Sequence, residues 1–208
     1  CLCYLAECIP SIGISPFSSG WTTSPRNVAS ADIATVATAI DSGFVPVLHG
    51  DAVLDHSQGC TILSGDVIIR HIADSLKPEY VVFSYPFLLP DWLFQSTDTD
   101  VFGVYDSPPS EPDAILLREI AVDEDGSWSV INHAPETMSK QVEITVAAHD
   151  TTGSMVTKIS EAAAIAKLGI DVYIVKATTD HSLKDLTGAV EKNLPDDWLG
   201  TAIRFKRE

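Results

Sequence analysis

The chain has 208 residues, 45% hydrophobic and 20% charged, a composition that buries a sizeable core and excludes an intrinsically disordered protein. Its formal net charge is −16, from 29 acids against 13 bases, and a field of that sign repels nucleic acid and anionic membranes, which are excluded as partners. No apolar run approaches the roughly 20 residues that span a bilayer, and the opening CLCYLAECIP has neither an initiator Met nor the basic start of a signal peptide.

A cytoplasmic location is therefore expected, and the sequence is expected to begin inside a longer chain. The cysteines are Cys1, Cys3, Cys8 and Cys60. The spacing Cys1-x-Cys3 is too short for a zinc knuckle and no second pair answers it, so reduced thiols are expected.

Helical and extended signals alternate along the chain. In 28–43, Ile33, Val36, Ala37 and Ile40 recur at helical spacing, and Gly43 follows as a stop. A short apolar run, 44-FVPVLHGD-51, ends in Gly-Asp. The stretch 61-TILSGDVIIRHIADSLK-77 opens with Ser64-Gly65-Asp66 and continues with Ile68, Ile72 and Leu76 on one helical face. The run 80-YVVFS-84 reads as a buried strand. Residues 106–132 carry a proline-rich turn and two extended runs around Asp125-Gly126, which predicts a hairpin. A strand over 144–148, a helix over 156–169 ended by Gly169 and a strand over 171–177 form a βαβ unit, whose crossover favours a parallel sheet. The segment 84-SYPFLLPDWLFQSTD-98 keeps neither period. Nothing marks an internal repeat or an interdomain linker.

In an open α/β sheet, ligands gather beyond the carboxyl ends of the strands. Three turns belong there: 48-LHGD-51, 63-LSGD-66 and 149-HDTTGSM-155. All are poor in side-chain bulk, so backbone N–H groups can approach a ligand. Two lead into helices, whose N-termini favour phosphate. Lys158 follows the last turn as a mobile point charge suited to a transferring phosphoryl group. On these residues alone, each Gly-Asp also reads as a plain turn and Lys158 as a solvated helix lysine. There is no G-x-x-x-x-G-K-[ST] and no G-x-G-x-x-G.

The ordered set 10-PSIGISPFSSGW-21, 45-VPVLHGD-51, 60-CTILSGD-66, 99-TDVFGVYDSPP-109, 150-DTTGSMVTK-158 and 199-LGTAI-203 resembles isopentenyl phosphate kinase of the amino acid kinase superfamily, and the plant members in particular. The resemblance implies an α/β three-layer α/β/α sandwich with a mainly parallel open sheet, lacking its N-terminal strands. It covers 1–208 as a single N-terminally truncated domain, with 84–98 as an atypical insertion. It implies transfer of the ATP γ-phosphoryl group to an isoprenoid monophosphate, isopentenyl phosphate, with Mg²⁺ as partner and a homodimer as assembly. By motif matching, Lys158 contacts the ATP phosphates and Asp66 organises the cationic groups around the transferring phosphoryl. Gly65 and Gly50 line the substrate phosphate, and Asp100, Gly153 and Ser154 lie on the nucleotide side. No protein metal ligand is assigned. A different small-molecule kinase of the superfamily, or a fragment that binds nucleotide without transfer, remains the alternative.

The sequence departs from the family in three places. A Gly-rich, Lys-containing loop and a His-bearing turn, which family members carry early in the chain, are not found. None of His49, His56, His71, His133, His149 and His181 lies in such a turn. Ser154 stands where the family has a second glycine, which costs about 1 kcal/mol if that position needs a positive φ. The stretch 84–98 interrupts the run from strand into Thr99-Asp100. Of the other candidates, His149 with Asp150 is a base dyad or a strand-end residue. Asp150 orients Lys158 or caps the helix. His49 and His71 are structural, the acids of 119–126 form a solvated hairpin, and Trp21, Trp128 and Trp198 pack at element ends.

Overall fold

The structure is a computed structural model and describes residues 9–25, 27–85, 101–107, 111–131, 154–188 and 194–206. The chain divides into two compact units, Cys1–Lys77 and Pro78–Glu208, each taken by itself below.

In the first unit, β1 (Ser11–Ile14) pairs in parallel with β4 (Val45–Leu48), with Ile14 opposite Leu48. A second sheet has the order β3-β2-β5-β6, from β2 (Thr22–Ser24), β3 (Asn27–Ser30), β5 (Asp51–Asp55) and β6 (Gly59–Leu63). Helix α1 (Ile33–Asp41) is capped by Asp32, whose carboxylate accepts from the Thr35 N–H at 3.0 Å. Of its predicted apolar face Val36 is buried, whereas Ile40 is exposed. Helix α2 (Gly65–Leu76) starts where Ser64-Gly65-Asp66 indicates, with Ser64 as N-cap accepting from the Val67 N–H. Trp21, Val53, Leu63 and Ile68 form one buried cluster, flanked by Leu48 and Ile72. Strand alternation sends Val53 and Leu63 inward. The β5–β6 hairpin, Asp51 opposite Leu63 through Asp55 opposite Gly59, is additional to the predicted elements. The short apolar run 52–54 and the polar turn 56–59 were its signals.

The second unit holds a five-stranded sheet of order β7-β10-β11-β8-β9. Its strands are β7 (Tyr80–Tyr85), β8 (Glu119–Val122), β9 (Trp128–Val130), β10 (Asp171–Lys176) and β11 (Thr201–Phe205). The predicted hairpin is present as β8 and β9, turned at Gly126 with φ +89°. Helix α3 (Ser154–Ala166) starts two residues before the predicted bound, and Gly169 follows at φ +81°, a conformation glycine adopts without strain. Helix α4 (Asp180–Leu186) is an addition, closed by a capping box between Thr179 and Ser182. The predicted strand over 144–148 lies outside the described residues. Parallel pairs β7–β10 and β8–β11 alternate with antiparallel β10–β11 and β8–β9, and the first unit mixes both kinds likewise.

One expectation is corrected. Glu119, taken with the solvated acids of the hairpin, is buried at 8% exposure, and its carboxylate pairs with Arg204 at 2.9 Å. Strand β8 is buried along its whole length, so only 123–125 face water.

Candidate functional site

In the first unit, three turns converge. Parallel pairing of β1 and β4 brings their carboxyl ends side by side, which places 15–18 next to 49–51. The Asp51 carboxylate ties the two together: it accepts from the Ser15 hydroxyl at 2.7 Å and from the Phe17 N–H at 3.3 Å, with the Ala52 N–H on its other oxygen at 2.9 Å. Those donors, the Ser15 hydroxyl foremost, hold the Asp51 carboxyl below the usual carboxylate range. The third turn comes from β6 into α2. A Cβ at Gly50 would lie 3.3 Å from the Leu63 carbonyl oxygen and 3.7 Å from the Gly65 nitrogen, so a bare backbone at position 50 lets the two Gly-containing turns touch. Gly65 is exposed and Asp66 half-buried in the first turn of α2. Gly50, Gly65 and Asp66 are thus brought together. Asp51 and Ser15, which build the turn, were not singled out from sequence. The Gly-Asp at a strand end was the available signal for Asp51.

Beside this turn the β5–β6 hairpin presents an exposed apolar face. Ala52 stands opposite Ile62 and Leu54 opposite Cys60, and Leu54 and Ile62 are 56% and 74% exposed. The opposite face, Val53 and Leu63, is the core side.

His49 is exposed, its Nδ1 2.9 Å from the Gly50 carbonyl. His71 packs edge-on against Trp21, and burial pushes its imidazole pKa down. His149, Asp150, Gly153 and Asp100 lie outside the described residues.

In the second unit, Lys158 lies four residues into α3 and is half-buried. Ser154 opens that helix with helical backbone, so the strain of a positive φ does not arise there. The segment 101–105 runs against the start of β11. Phe102 stands edge-on to His181, and the Lys176 ammonium lies 5.2 Å from the centre of its ring. Lys176 ends β10, at the carboxyl end of the parallel β7–β10 pair. Thr178 beyond it takes φ +58°. Lys158 and Ser154 therefore share one helix, and Gly50, Gly65 and Asp66 share one turn cluster in the other unit. Among the described residues no three His, Cys, Asp or Glu side chains gather to hold a metal ion.

The sequence pattern of the amino acid kinase family matches residues 3–84 and 98–176. The chain is 66% identical to isopentenyl phosphate kinase of Arabidopsis thaliana over 97% of its length, covering 57% of that protein. It is 30% identical to the enzyme of the same name from Methanothermobacter thermautotrophicus over its full length, covering 64% of that relative. A solved structure of isopentenyl phosphate kinase superposes with a TM-score of 0.65 at 26% identity, over 96% of this chain and 61% of the other. The chain thus spans less than two thirds of the length of each.

Proposed function

The chain belongs to the amino acid kinase family, and we propose that it serves ATP-dependent phosphorylation of isopentenyl phosphate to isopentenyl diphosphate. The carrying observation is the 66% identity to the Arabidopsis isopentenyl phosphate kinase. The geometry of the first unit supports the same substrate. A cluster of bare turns at the N-terminus of α2 suits a phosphate, and the face of Ala52, Leu54 and Ile62 beside it suits a short branched hydrocarbon tail.

In this reading a phosphate oxygen of the substrate attacks the ATP γ-phosphorus, the bond from that phosphorus to the β–γ bridging oxygen breaks, and ADP leaves. The protein contributes position and charge neutralisation. Gly50 and Gly65 bring backbone to the substrate phosphate, and Asp66 orients the cationic groups around the transferring phosphoryl. Lys158 neutralises charge on the ATP phosphates, with Asp100, Gly153 and Ser154 on the nucleotide side. Mg²⁺ bound with the nucleotide would supply further charge neutralisation at its phosphates.

Supplying the protein with ATP, Mg²⁺ and isopentenyl monophosphate tests the proposal, with diphosphate product as readout. Lys158→Met is expected to lower kcat by about 100-fold, the typical loss for one group that stabilises transition-state charge. Unchanged turnover excludes the role of Lys158. A wild-type protein that binds ATP without forming diphosphate overturns the activity in favour of nucleotide binding alone.

The same proposal extends to a homodimer acting in the cytoplasm, which sedimentation and fractionation test. Among the described residues no helix is long and apolar enough to cross a membrane. The stretch 84–98 is proposed as an insertion, supported by the gap at 85–97 between the two spans that the family pattern matches. A transcript read across the junction tests that.

A further inference from the structure

A cleft between helix α3 and the β8–β9 hairpin has no part in the site above. It holds about 300 Å³, a volume at the lower bound of small-molecule pockets. Ile159, Ala163 and Ala164 follow one another along one face of α3 and form its floor. Trp128 on β9 forms the facing wall. Expected to pack at an element end, it is only half-buried and leaves part of its surface to the cleft.

One end of the cleft carries charge. The Lys167 N–H donates to the Ala163 carbonyl at 3.0 Å, so Lys167 extends the last turn of α3. Its ammonium lies over the hairpin turn, where a Cβ at Gly126 would stand 3.7 Å from Nζ. Asp125 is exposed and feels the Lys167 charge, but its carboxylate accepts from the Ser127 N–H at 2.8 Å. Among the described residues no carboxylate closes an ion pair with Lys167. A lysine at a helix C-terminus is favourable by itself, but that does not account for the indole and the alanine floor beside it.

The cleft is set apart from the groups proposed for the reaction. Lys167 follows Lys158 by about 13 Å along the helix axis, at a rise of about 1.5 Å per residue. From there the chain turns at Gly169 into the amino end of β10, whereas Lys176 ends that strand.

We propose that this cleft is a second binding site, for a small amphiphilic anion: an aromatic or branched hydrocarbon body carrying one phosphate or carboxylate group. The body lies between the indole and the alanine floor, where its apolar area leaves water. The anionic group meets the Lys167 ammonium in a charge-assisted hydrogen bond. Both halves are required. The net charge of −16 opposes a bare anion, and one ring buries too little area to bind by itself.

The test titrates the whole chain with phenyl phosphate, benzyl alcohol and inorganic phosphate. The Gly126 amide and Trp128 indole signals are followed by NMR, which separates this cleft from the phosphate site of the proposed reaction. Phenyl phosphate is expected to shift both signals with a millimolar Kd. Benzyl alcohol and inorganic phosphate, each lacking one half of the ligand, are expected to bind about tenfold more weakly. Lys167→Met keeps the stem and removes the charge, and about tenfold weaker binding of phenyl phosphate is expected. Asp125→Asn removes a like charge from the mouth and keeps an acceptor for the Ser127 N–H, so tighter binding is expected. Both side chains are exposed, so both variants are expected to fold. The absence of a shift at either signal overturns the proposal. So does unchanged affinity in Lys167→Met, weaker binding in Asp125→Asn, or benzyl alcohol or inorganic phosphate bound as tightly as phenyl phosphate.

Discussion

Asp185 carries a charge that the fold tolerates poorly. It sits in α4 at 1% exposure, and among the described residues neither of its carboxylate oxygens has a hydrogen-bond partner. The Trp198 indole Nε1 offsets the effect in part but lies outside hydrogen-bond geometry, and it too is unpartnered among the described residues. Desolvation therefore dominates and pushes the carboxyl up from 3.8 to about 7. The folded value is the higher one, so the penalty is absent below about pH 4, where both states are protonated. It grows as pH rises towards about 7 and is fully present above that. A rise of this size corresponds to at most about 4 kcal/mol, from which the unsatisfied amide of an isostere subtracts about 1–3 kcal/mol. Asp185→Asn is thus expected to be more stable than wild type by about 2 kcal/mol at alkaline pH and to lose that advantage on acidification. Urea midpoints at several pH values check this; a pH-independent difference would place the cause elsewhere.

At the scale of elements, β8, β10 and β11 are joined by one cation as well as by their ladders. Arg204 on β11 lies 2.9 Å from Glu119 on β8 and 3.2 Å from Asp171 on β10, with the Tyr173 hydroxyl 3.4 Å away. Arg204 is 16% exposed and Glu119 11% at the side chain, too little water to screen a stranded charge. Arg204→Met is expected to cost about 3 kcal/mol by leaving Glu119 buried without its counterion. The double change Arg204→Met with Glu119→Leu is expected to recover most of that loss, because a buried pair replaced by packed apolar groups is often close to neutral. Chemical denaturation of the single and double variants gives the coupling directly. If the double variant is as unstable as the sum of the singles, the pair is not what joins these strands.

Across the whole molecule the dominant long-range quantity is the net charge of −16. Folding concentrates that charge and self-repulsion opposes the compact state. Raising salt from about 0.01 M to about 1 M shortens the screening length from about 30 Å to about 3 Å. The thermal midpoint is accordingly expected to rise with sodium chloride over that range. A midpoint that falls with salt would mean that attractive pairs such as Arg204 with Glu119 outweigh the net field. The same charge sets a demand on the proposed reaction. A polyphosphate is drawn to this chain only where local donors overcome the field, which makes Lys158 and the bare turns at Gly50 and Gly65 the groups to test.

Local signals were legible in the chain itself. Ser64-Gly65-Asp66 marks the start of α2 because a hydroxyl cap and a bare first turn satisfy orphan N–H groups without help from elsewhere. Gly126 and Gly169 mark a hairpin and a helix stop for the same local reason. The apolar runs of β7 and β10 announce strands, β10 buried on both faces and β7 on the side of Val81 and Phe83. The close approach of Gly50 to Gly65, the insertion of the Thr201 hydroxyl between the Val104 N–H and the Leu117 carbonyl, and the burial of Glu119 and Asp185 have no such local cause. Each arises from strands far apart in sequence meeting in one sheet or one turn cluster. Periodicity reports which face of an element is apolar, but it carries no information about which distant backbone that face will meet, and only the tertiary structure decided that.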